Sequence, residues 1–229
     1  RFEAICNATK FIVQGICEEK KIKYKDISHR VKEFDKFYDK IVGQINNSEK
    51  KPSKELLEKL FRSPHLSFDR VIKEKFVKDI AGIRVNCYYK SDALQLWSLI
   101  KEDCDESKRY HLASFDVPKE PSTEPGVFEY PRFHLWVKLG LERLELPEYS
   151  DLKELPCEIQ IGTVLEEGWG EVDHEIIYKS ESFLPDDKVK ELKQTSFSEL
   201  LPSIRLTDGS FDKLREKRKA EDFKYGGAS

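Results

Sequence analysis

The sequence lacks several features that mark common classes of protein. Its five cysteines are odd in number and scattered, and none forms a Cys-x-x-Cys pair, so we expect reduced thiols without a zinc site or a disulfide framework. No run of about eighteen apolar residues is present, and the first residues lack the layout of a signal peptide, so we expect a cytoplasmic protein. A Gly-Lys-Ser phosphate loop is missing too. The chain also contains no methionine, and residue spacing is therefore used only within short motifs.

An excess of charge of one sign is also missing. Forty basic residues nearly balance forty-three acidic ones, which leaves a net charge of −3 although 36% of the residues are charged. This balance favours solubility and predicts neither DNA nor a membrane as a partner. A chain of 229 residues can bury one good core, and we predict a catalytic domain over 25–182 with helical extensions over 1–24 and 183–229.

What the chain does contain is a mixture of helical and strand patterns. Apolar residues at helical spacing predict helices over 2–19, 34–45 and 93–100. Runs rich in β-branched and aromatic residues predict strands over 80–89, 133–139 and 156–161, and a shorter extended stretch is expected over 26–31. Strands alternating with helices indicate an α/β (α+β) fold, a mixed β-sheet flanked by helices.

The clearest local signals surround residue 158. In Glu158-Ile159-Gln160-Ile161 a period of two gives the predicted strand one polar face and one core face. Thr163 and Glu166 fit a capping box that begins a helix at Val164, and its buried stripe is predicted as Leu165, Trp169, Val172 and Ile176. The charged tail over 211–225 is expected to be a solvated helix or partly disordered.

Two carboxylates are candidates for a metal site. In Asp79-Ile80-Ala81-Gly82-Ile83-Arg84 the odd separation of Asp79 and Arg84 would place them on opposite faces, so we expect Asp79 to precede the regular strand or Gly82 to form a bulge. Asp79 and Glu158 could hold Mg²⁺ against a triphosphate, since magnesium prefers a few carboxylates plus phosphate oxygens. An ordinary surface carboxylate paired with a lysine is the alternative for each.

Basic and aromatic residues form two further candidate groups. Arg30, Lys32, Lys36 and Lys40 could contact phosphates, although such spacing is equally typical of a solvated basic face. Tyr130 and His134 follow a proline-rich loop over 116–127, where a ring could stack on a base and an imidazole could contact phosphate. Read alone, these two would be ordinary loop and strand residues.

These blocks, in this order, resemble the synthetase domain of the RelA/SpoT family, which makes the alarmone ppGpp by transferring pyrophosphate from ATP to the 3′-hydroxyl of GDP or GTP. The resemblance runs from about Ile27 to Lys179. The family patterns are D-x-A-G-x-R, R-x-K with a later lysine, and E-[IV]-Q-I-R-T followed by W, an acidic residue, H and Y-K. They correspond here to Asp79, Ala81, Gly82, Arg84, Arg30, Lys32, Lys40, Glu158, Gln160, Thr163, Trp169, Asp173, His174, Tyr178 and Lys179.

The resemblance implies a role for each candidate. Arg30 and Arg84 would sandwich the adenine of ATP, Lys32 and Lys40 would grip its phosphates, and Lys36 falls where the family has a phosphate-side serine. Asp79 and Glu158 would bind Mg²⁺, and Glu158 would orient or deprotonate the attacking hydroxyl. On the acceptor side Tyr130 would stack on the base, His134 and Gln160 would lie near its phosphates or ribose, and Arg132 replaces a serine.

Most departures from the family pattern are on the acceptor side. Gly162 replaces the arginine of E-I-Q-I-R-T, Glu129 replaces a glycine, and Glu167 falls where related small synthetases often use asparagine to read guanine. Three functions therefore stay open: an alarmone synthetase, a toxin-like relative that modifies the 3′ end of tRNA, and a non-catalytic nucleotide-binding or RNA-binding module. The adjacent His-Asp pair of the family's hydrolase half is missing. The flanking helices could support a homo-oligomer or bind a neutralising partner.

Overall fold

A computed structural model describes residues 1–38, 53–55, 58, 79–104, 111–121, 131–153, 155–180 and 183–225. Its centre is a five-stranded sheet. The strands are β1 (Tyr24–Val31), β2 (Ala81–Cys87), β3 (Leu112–Ser114), β4 (Phe133–Leu139) and β5 (Cys157–Thr163). Their order across the sheet is β1-β2-β5-β4-β3, with β2 and β5 parallel and the other neighbours antiparallel. The predicted mixed sheet is confirmed.

The two faces of the sheet differ in polarity, as the period of two requires. On one face Ile83, Val85, Leu135, Ile159 and Ile161 are buried in the core. Helices α1 (Phe2–Glu19) and α2 (Lys90–Asp103) pack against β2 and β5 and contribute to that core. The other face carries the polar residues, so the sheet separates the core from a candidate site.

Short helical segments connect β4 to β5, and a longer helix follows β5. After α3 (Leu141–Leu144) and a 3₁₀ turn (Pro147–Leu152), β5 leads into α4 (Val164–Asp173), which continues as a π-helical segment (His174–Tyr178). The predicted capping box is confirmed: Glu166 N donates to Thr163 Oγ1 at 3.1 Å, and Thr163 N donates to Glu166 Oε2 at 2.9 Å. The box satisfies two donors that a helix start leaves unpaired.

The predicted buried stripe of α4 is wrong in part. Val172 and Ile176 are exposed, and the side chains buried with Trp169 are instead Glu166, Asp173 and Ile177. The physical reason is that polar partners cover this side of the helix. Lys90 Nζ lies 2.5 Å from Glu166 Oε1, and the hydroxyl of Ser196 donates to Asp173. A buried carboxylate is stable when it is paired in this way.

The C-terminal residues form one continuous helical run. It comprises α5 (Asp186–Thr195), a π-helical segment (Ser196–Leu200) and α6 (Leu201–Tyr225), so the tail is helical. Polar side chains attach α6 to the rest of the domain: Thr163 Oγ1 donates to Asp208 at 2.7 Å, Ser91 Oγ to Asp212 at 2.5 Å, and Arg215 Nη1 to Asp92 at 2.8 Å. The tail is therefore attached to the start of α4 and to the start of α2.

Two further predictions can be compared with the described residues. All five cysteines are free thiols, as expected from their scatter. None of the helices within the described ranges is long and apolar enough to cross a membrane.

Candidate active site

Strand register brings the polar candidates into two rows across the sheet. In one row Ser28 pairs with Arg84, Arg84 with Gln160, and Gln160 with His134. In the next row Arg30 pairs with Gly82, and Gly82 with Glu158. Helix α4 lies over this face and closes a cleft of about 420 Å³. The cleft is lined by Arg30, Arg84, Arg132, His134, Gln160, Glu167, Gly170, Glu171 and His174.

Glu158 is held between two side chains. His134 Nδ1 lies 2.9 Å from its Oε1, and Gln160 Nε2 donates to its Oε2 at 2.9 Å. Because a carboxylate only accepts, the hydrogen of the first bond is on Nδ1. Glu158 is 7% exposed, so both bonds lie where water competes weakly, and its orientation is fixed before a substrate arrives.

Gly82 is the register partner of Glu158 on the neighbouring strand. A Cβ at position 82 would lie 3.7 Å from Glu158 Cβ and 3.8 Å from its Oε2, so the side chain of Glu158 lies over the glycine. Asp79 ends up near the same end of the sheet, since β2 and β5 are parallel and Asp79 comes two residues before β2. The expectation that Asp79 precedes the regular strand is confirmed.

Asp79 forms an ion pair with Lys32. The Lys32 ammonium donates to Asp79 Oδ2 at 2.9 Å, with both side chains less than one-fifth exposed. The backbone supports the pair, because Lys32 N donates to Ile80 O at 2.8 Å. In such a pair the lysine can bind a phosphate and the carboxylate can bind a metal ion.

Glu167 joins two arginines across the cleft. Arg84 Nη1 donates to its Oε1 at 2.7 Å, and Arg132 Nη2 donates to its Oε2. Arg84 Nε also donates to Gln160 Oε1 at 3.3 Å, so the contacts run from His134 through Glu158 and Gln160 to Glu167. Burial lowers the pKa of the Arg132 guanidinium, and the charge of Glu167 opposes that effect.

The structure places the remaining candidates differently. Lys36 is 74% exposed in its side chain, lies 3.3 Å from Glu33 and does not line the cleft, which matches the solvated basic face. Lys40 and Tyr130 lie outside the described residues, and their roles stay predictions. Five candidates line one cleft together: Arg30, Arg84, Arg132, His134 and Gln160.

Three lining residues of α4 and of the π-helical segment that continues it were missing from the predicted site. Gly170, Glu171 and His174 face the cleft together with Glu167. Their spacing of three or four residues puts them on one side of a helix, and this signal was available in the sequence.

Two carboxylates, Asp79 and Glu158, are the predicted donors for a metal ion. Among the described residues no three His, Cys, Asp or Glu side chains are grouped to hold a metal. Asp79 precedes β2 and Glu158 lies near the start of the parallel strand β5, and two carboxylates completed by phosphate oxygens and water are a donor set that magnesium accepts.

Comparison with known proteins gives one family. A family model described as a region found in RelA/SpoT proteins matches residues 29–182. GTP pyrophosphokinase YwaC from Bacillus subtilis is 27% identical over 123 residues, which cover 54% of this chain and 53% of that protein. The match thus spans about half the length of this relative.

Solved structures share the fold. A GTP pyrophosphokinase family protein from Streptococcus pneumoniae has a TM-score of 0.62 at 16% identity, over 96% of this chain and 92% of that one. Small alarmone synthetase 1 from Bacillus subtilis, bound to its product pppGpp, has a TM-score of 0.60 at 17% identity, over 95% and 94% of the two chains. At such low identity the likeness establishes the fold.

Proposed function

Because the chain belongs to the RelA/SpoT family, we propose that it is a pyrophosphokinase that transfers the β,γ-pyrophosphate of ATP to the ribose 3′-hydroxyl of GDP or GTP. The observation that carries this proposal is Glu158, a carboxylate oriented by His134 and Gln160 next to a cleft with three arginines. The names of the relatives support the same reaction, since one is a GTP pyrophosphokinase and another was solved with pppGpp.

The donor half of the cleft fits ATP. Arg30 and Arg84 carry planar guanidinium groups that can stack on adenine, and Arg84 is already oriented by Gln160 and Glu167. Lys32 beside Asp79 supplies a point charge for the phosphates. Lys36 and Lys40 are proposed to add to that charge when ATP binds.

The chemistry needs one oxygen to attack one phosphorus. The acceptor 3′-oxygen would attack the β-phosphorus of ATP, the bond from that phosphorus to the α,β-bridging oxygen would break, and AMP would leave. Glu158 would accept a hydrogen bond or the proton from the 3′-hydroxyl, and His134 and Gln160 would keep its oxygens aimed at that position. The arginines would stabilise the charge that develops on the phosphoryl oxygens.

We propose that Asp79 and Glu158 hold Mg²⁺ during the reaction. When bound, the ion neutralises phosphate charge and orients the triphosphate. Lys32 holds the Asp79 carboxylate in place through their ion pair. One carboxylate oxygen of Glu158 would then bind the metal ion, and the other would contact the acceptor hydroxyl.

The acceptor half is completed by Arg132, His134 and Gln160, with Tyr130 proposed to stack on the base. This half can be tested directly by incubating the protein with ATP, MgCl₂ and one acceptor at a time, with products identified by mass spectrometry. Formation of AMP together with a 3′-pyrophosphorylated guanosine nucleotide supports the proposal. Label from ATP entering tRNA alone would instead identify the toxin-like reaction.

The role of Glu158 has its own test. Glu158→Gln keeps the shape of the side chain and removes its charge, so turnover should fall at least about 100-fold. Glu175→Gln is the matched control, because Glu175 is an exposed glutamate of the segment that follows α4 and pairs with Lys179. Wild-type protein that releases no AMP with any acceptor would favour the non-catalytic module.

A further inference from the structure

The side chain of Arg132 crosses a strand to reach its partners. Arg132 directly precedes β4, and its Nη2 donates to Asn86 Oδ1 on β2 at 3.1 Å and to Glu167 on α4. Between β4 and β2 lies β5, where Gly162 is the register partner of Asn86. The side chain therefore passes over β5 at Gly162, and we name this arrangement the Arg132–Gly162 crossing.

The crossing requires a glycine at position 162. A Cβ there would lie 3.0 Å from Arg132 Cγ, 3.2 Å from Arg132 Nη1 and 2.9 Å from Glu166 Oε2. These neighbours cannot give way easily, because Asn86 and Glu167 hold the guanidinium and Glu166 Oε2 accepts from Thr163 N at 2.9 Å. Any side chain at 162 must displace Arg132 or break the capping box.

The crossing also fixes charge in the cleft. Arg132 is 5% exposed, and its Nη1 has no hydrogen-bond partner within the described part of the chain. A guanidinium keeps its charge even when buried. Glu167 is shared between Arg132 and Arg84, and the nearby Glu166, whose charge also acts on Arg132, is paired with Lys90. Three cations therefore face two carboxylates at this point, and Arg132 holds one of the positive charges at a fixed position.

We propose that the Arg132–Gly162 crossing determines acceptor specificity, by placing a charge that selects a 5′-phosphorylated ribonucleotide over an uncharged nucleoside. The inference rests on the proposed function and also explains why position 162 is a glycine. The side chain of Arg132, which directly precedes β4, occupies the space above Gly162. The glycine is therefore required for the acceptor half of the cleft and does not indicate that this half has lost its function. Arg132 acts partly as a positioning residue, because it holds Glu167.

A double-mutant cycle on thermal melting tests the geometry. Gly162→Ala should lower the melting temperature by at least about 5 °C, and by clearly less when Arg132→Ser has removed the crossing side chain. Gly168→Ala is the matched control, because a Cβ at Gly168 meets nothing within 4 Å. Additive shifts in the cycle, or no cost for Gly162→Ala, would overturn the crossing as a coupled unit.

Acceptor kinetics test the specificity. With GDP and guanosine as probes, Arg132→Ser should raise the KM for GDP at least about tenfold, the loss of one charged contact, and abolish any preference for GDP over guanosine. The KM for ATP should change less than about threefold, and Arg132→Lys should restore part of the preference because it restores the charge. An unchanged KM for GDP in Arg132→Ser would refute the assignment.

The two proposals fail in different ways. If the wild-type protein transfers pyrophosphate to none of GDP, GTP and guanosine, the proposed function and the specificity assigned to the crossing both fall. The melting cycle still decides whether Arg132 and Gly162 are coupled. If the wild-type protein turns over and Arg132→Ser keeps its preference for GDP, the function stands and the inference fails.

Discussion

Thr163 and Asp208 join the start of α4 to the C-terminal helix through a hydrogen bond of 2.7 Å in which the threonine hydroxyl donates. The same hydroxyl accepts from Glu166 N, so one side chain serves both the capping box and the contact between helices. Asp208 is 2% exposed, and its Oδ1 has no partner within the described ranges. The helix that lines the cleft therefore depends on a residue 45 positions further along the chain.

This contact predicts a dependence of stability on pH. Burial raises the pKa of Asp208 from 3.8 to about 6, although the bond from Thr163 acts in the opposite direction. A raised pKa in the folded state means that stability is highest below the unfolded pKa and falls as pH rises through about 6. Asp208→Asn can still accept from Thr163 and carries no charge. The free energy of unfolding of Asp208→Asn, minus that of the wild type, should therefore be larger at pH 8 than at pH 4 by roughly 1–3 kcal/mol.

Urea denaturation of both proteins at several pH values measures this difference. A difference in free energy of unfolding that stays constant between pH 4 and pH 8 would contradict the prediction that the buried charge on Asp208 destabilises the folded protein. Asp222→Asn is a suitable control, since Asp222 lies on the same helix in an exposed pair with Arg218.

Removal of Arg215 should destabilise the domain. Its guanidinium lies 2.8 Å from Asp92, a carboxylate that is 3% exposed, and also lies over the ring of Tyr89 at 4.4 Å. Without Arg215, Asp92 would keep the hydrogen bond from Lys23 N but lose its ion pair. Arg215→Ala should therefore lower the free energy of unfolding by about 2–4 kcal/mol. Arg218→Ala, which removes an exposed arginine of the same helix, should cost less than about 0.5 kcal/mol. Equal denaturation midpoints for the two variants would argue against the attachment of α6.

Replacement of His134 should lower kcat strongly and the melting temperature only slightly. His134→Ala takes one of the two bonds that orient Glu158 and leaves the other, from Gln160. We expect kcat to fall about 10–100-fold while the melting temperature changes by only a few degrees. His134→Asn, whose amide can donate at a similar position, should recover part of the activity. Steady-state kinetics with saturating ATP and acceptor provide the measurement.

Metal removal should stop turnover without unfolding the protein. Asp79 is compensated by Lys32, and Glu158 by His134 and Gln160, so the site has its own partners when no cation is bound. EDTA should therefore abolish AMP release and shift the melting temperature by less than about 3 °C. Added MgCl₂ should restore the rate. Full activity in a chelator would eliminate the two-carboxylate proposal.

Local patterns predicted the parts of the site that depend on neighbouring residues. The alternation in Glu158-Ile159-Gln160-Ile161 follows from the geometry of one strand, and the capping box of Thr163 and Glu166 spans a single turn. Both are visible in a short window of sequence. The resemblance to a family then supplied roles for residues that the register later brought together.

Contacts between distant segments could not be predicted in this way. The buried side of α4 is set by Lys90, Ser196 and Asp208, which come from three other elements, so its apolar pattern gave the wrong stripe. In the sequence Gly162 is only a departure from the family pattern, because its neighbour Arg132 is brought to it by the pairing of β4 with β5. The sequence also gives no sign that a carboxylate on a polar helix face, such as Asp208, is buried against another helix.

The parallel pairing of β2 with β5 has a consequence for how the protein folds. Arg84 and Gln160 touch although 76 residues separate them, and parallel neighbours cannot be joined by a tight turn. Closing so long a loop is slow compared with forming a hairpin or a helix. A chain still emerging from the ribosome would expose one edge of β2 until β5 has been synthesised. Both halves of the cleft would therefore be completed only after β5 and α4 have been synthesised, since Gln160 and Glu167 orient Arg84.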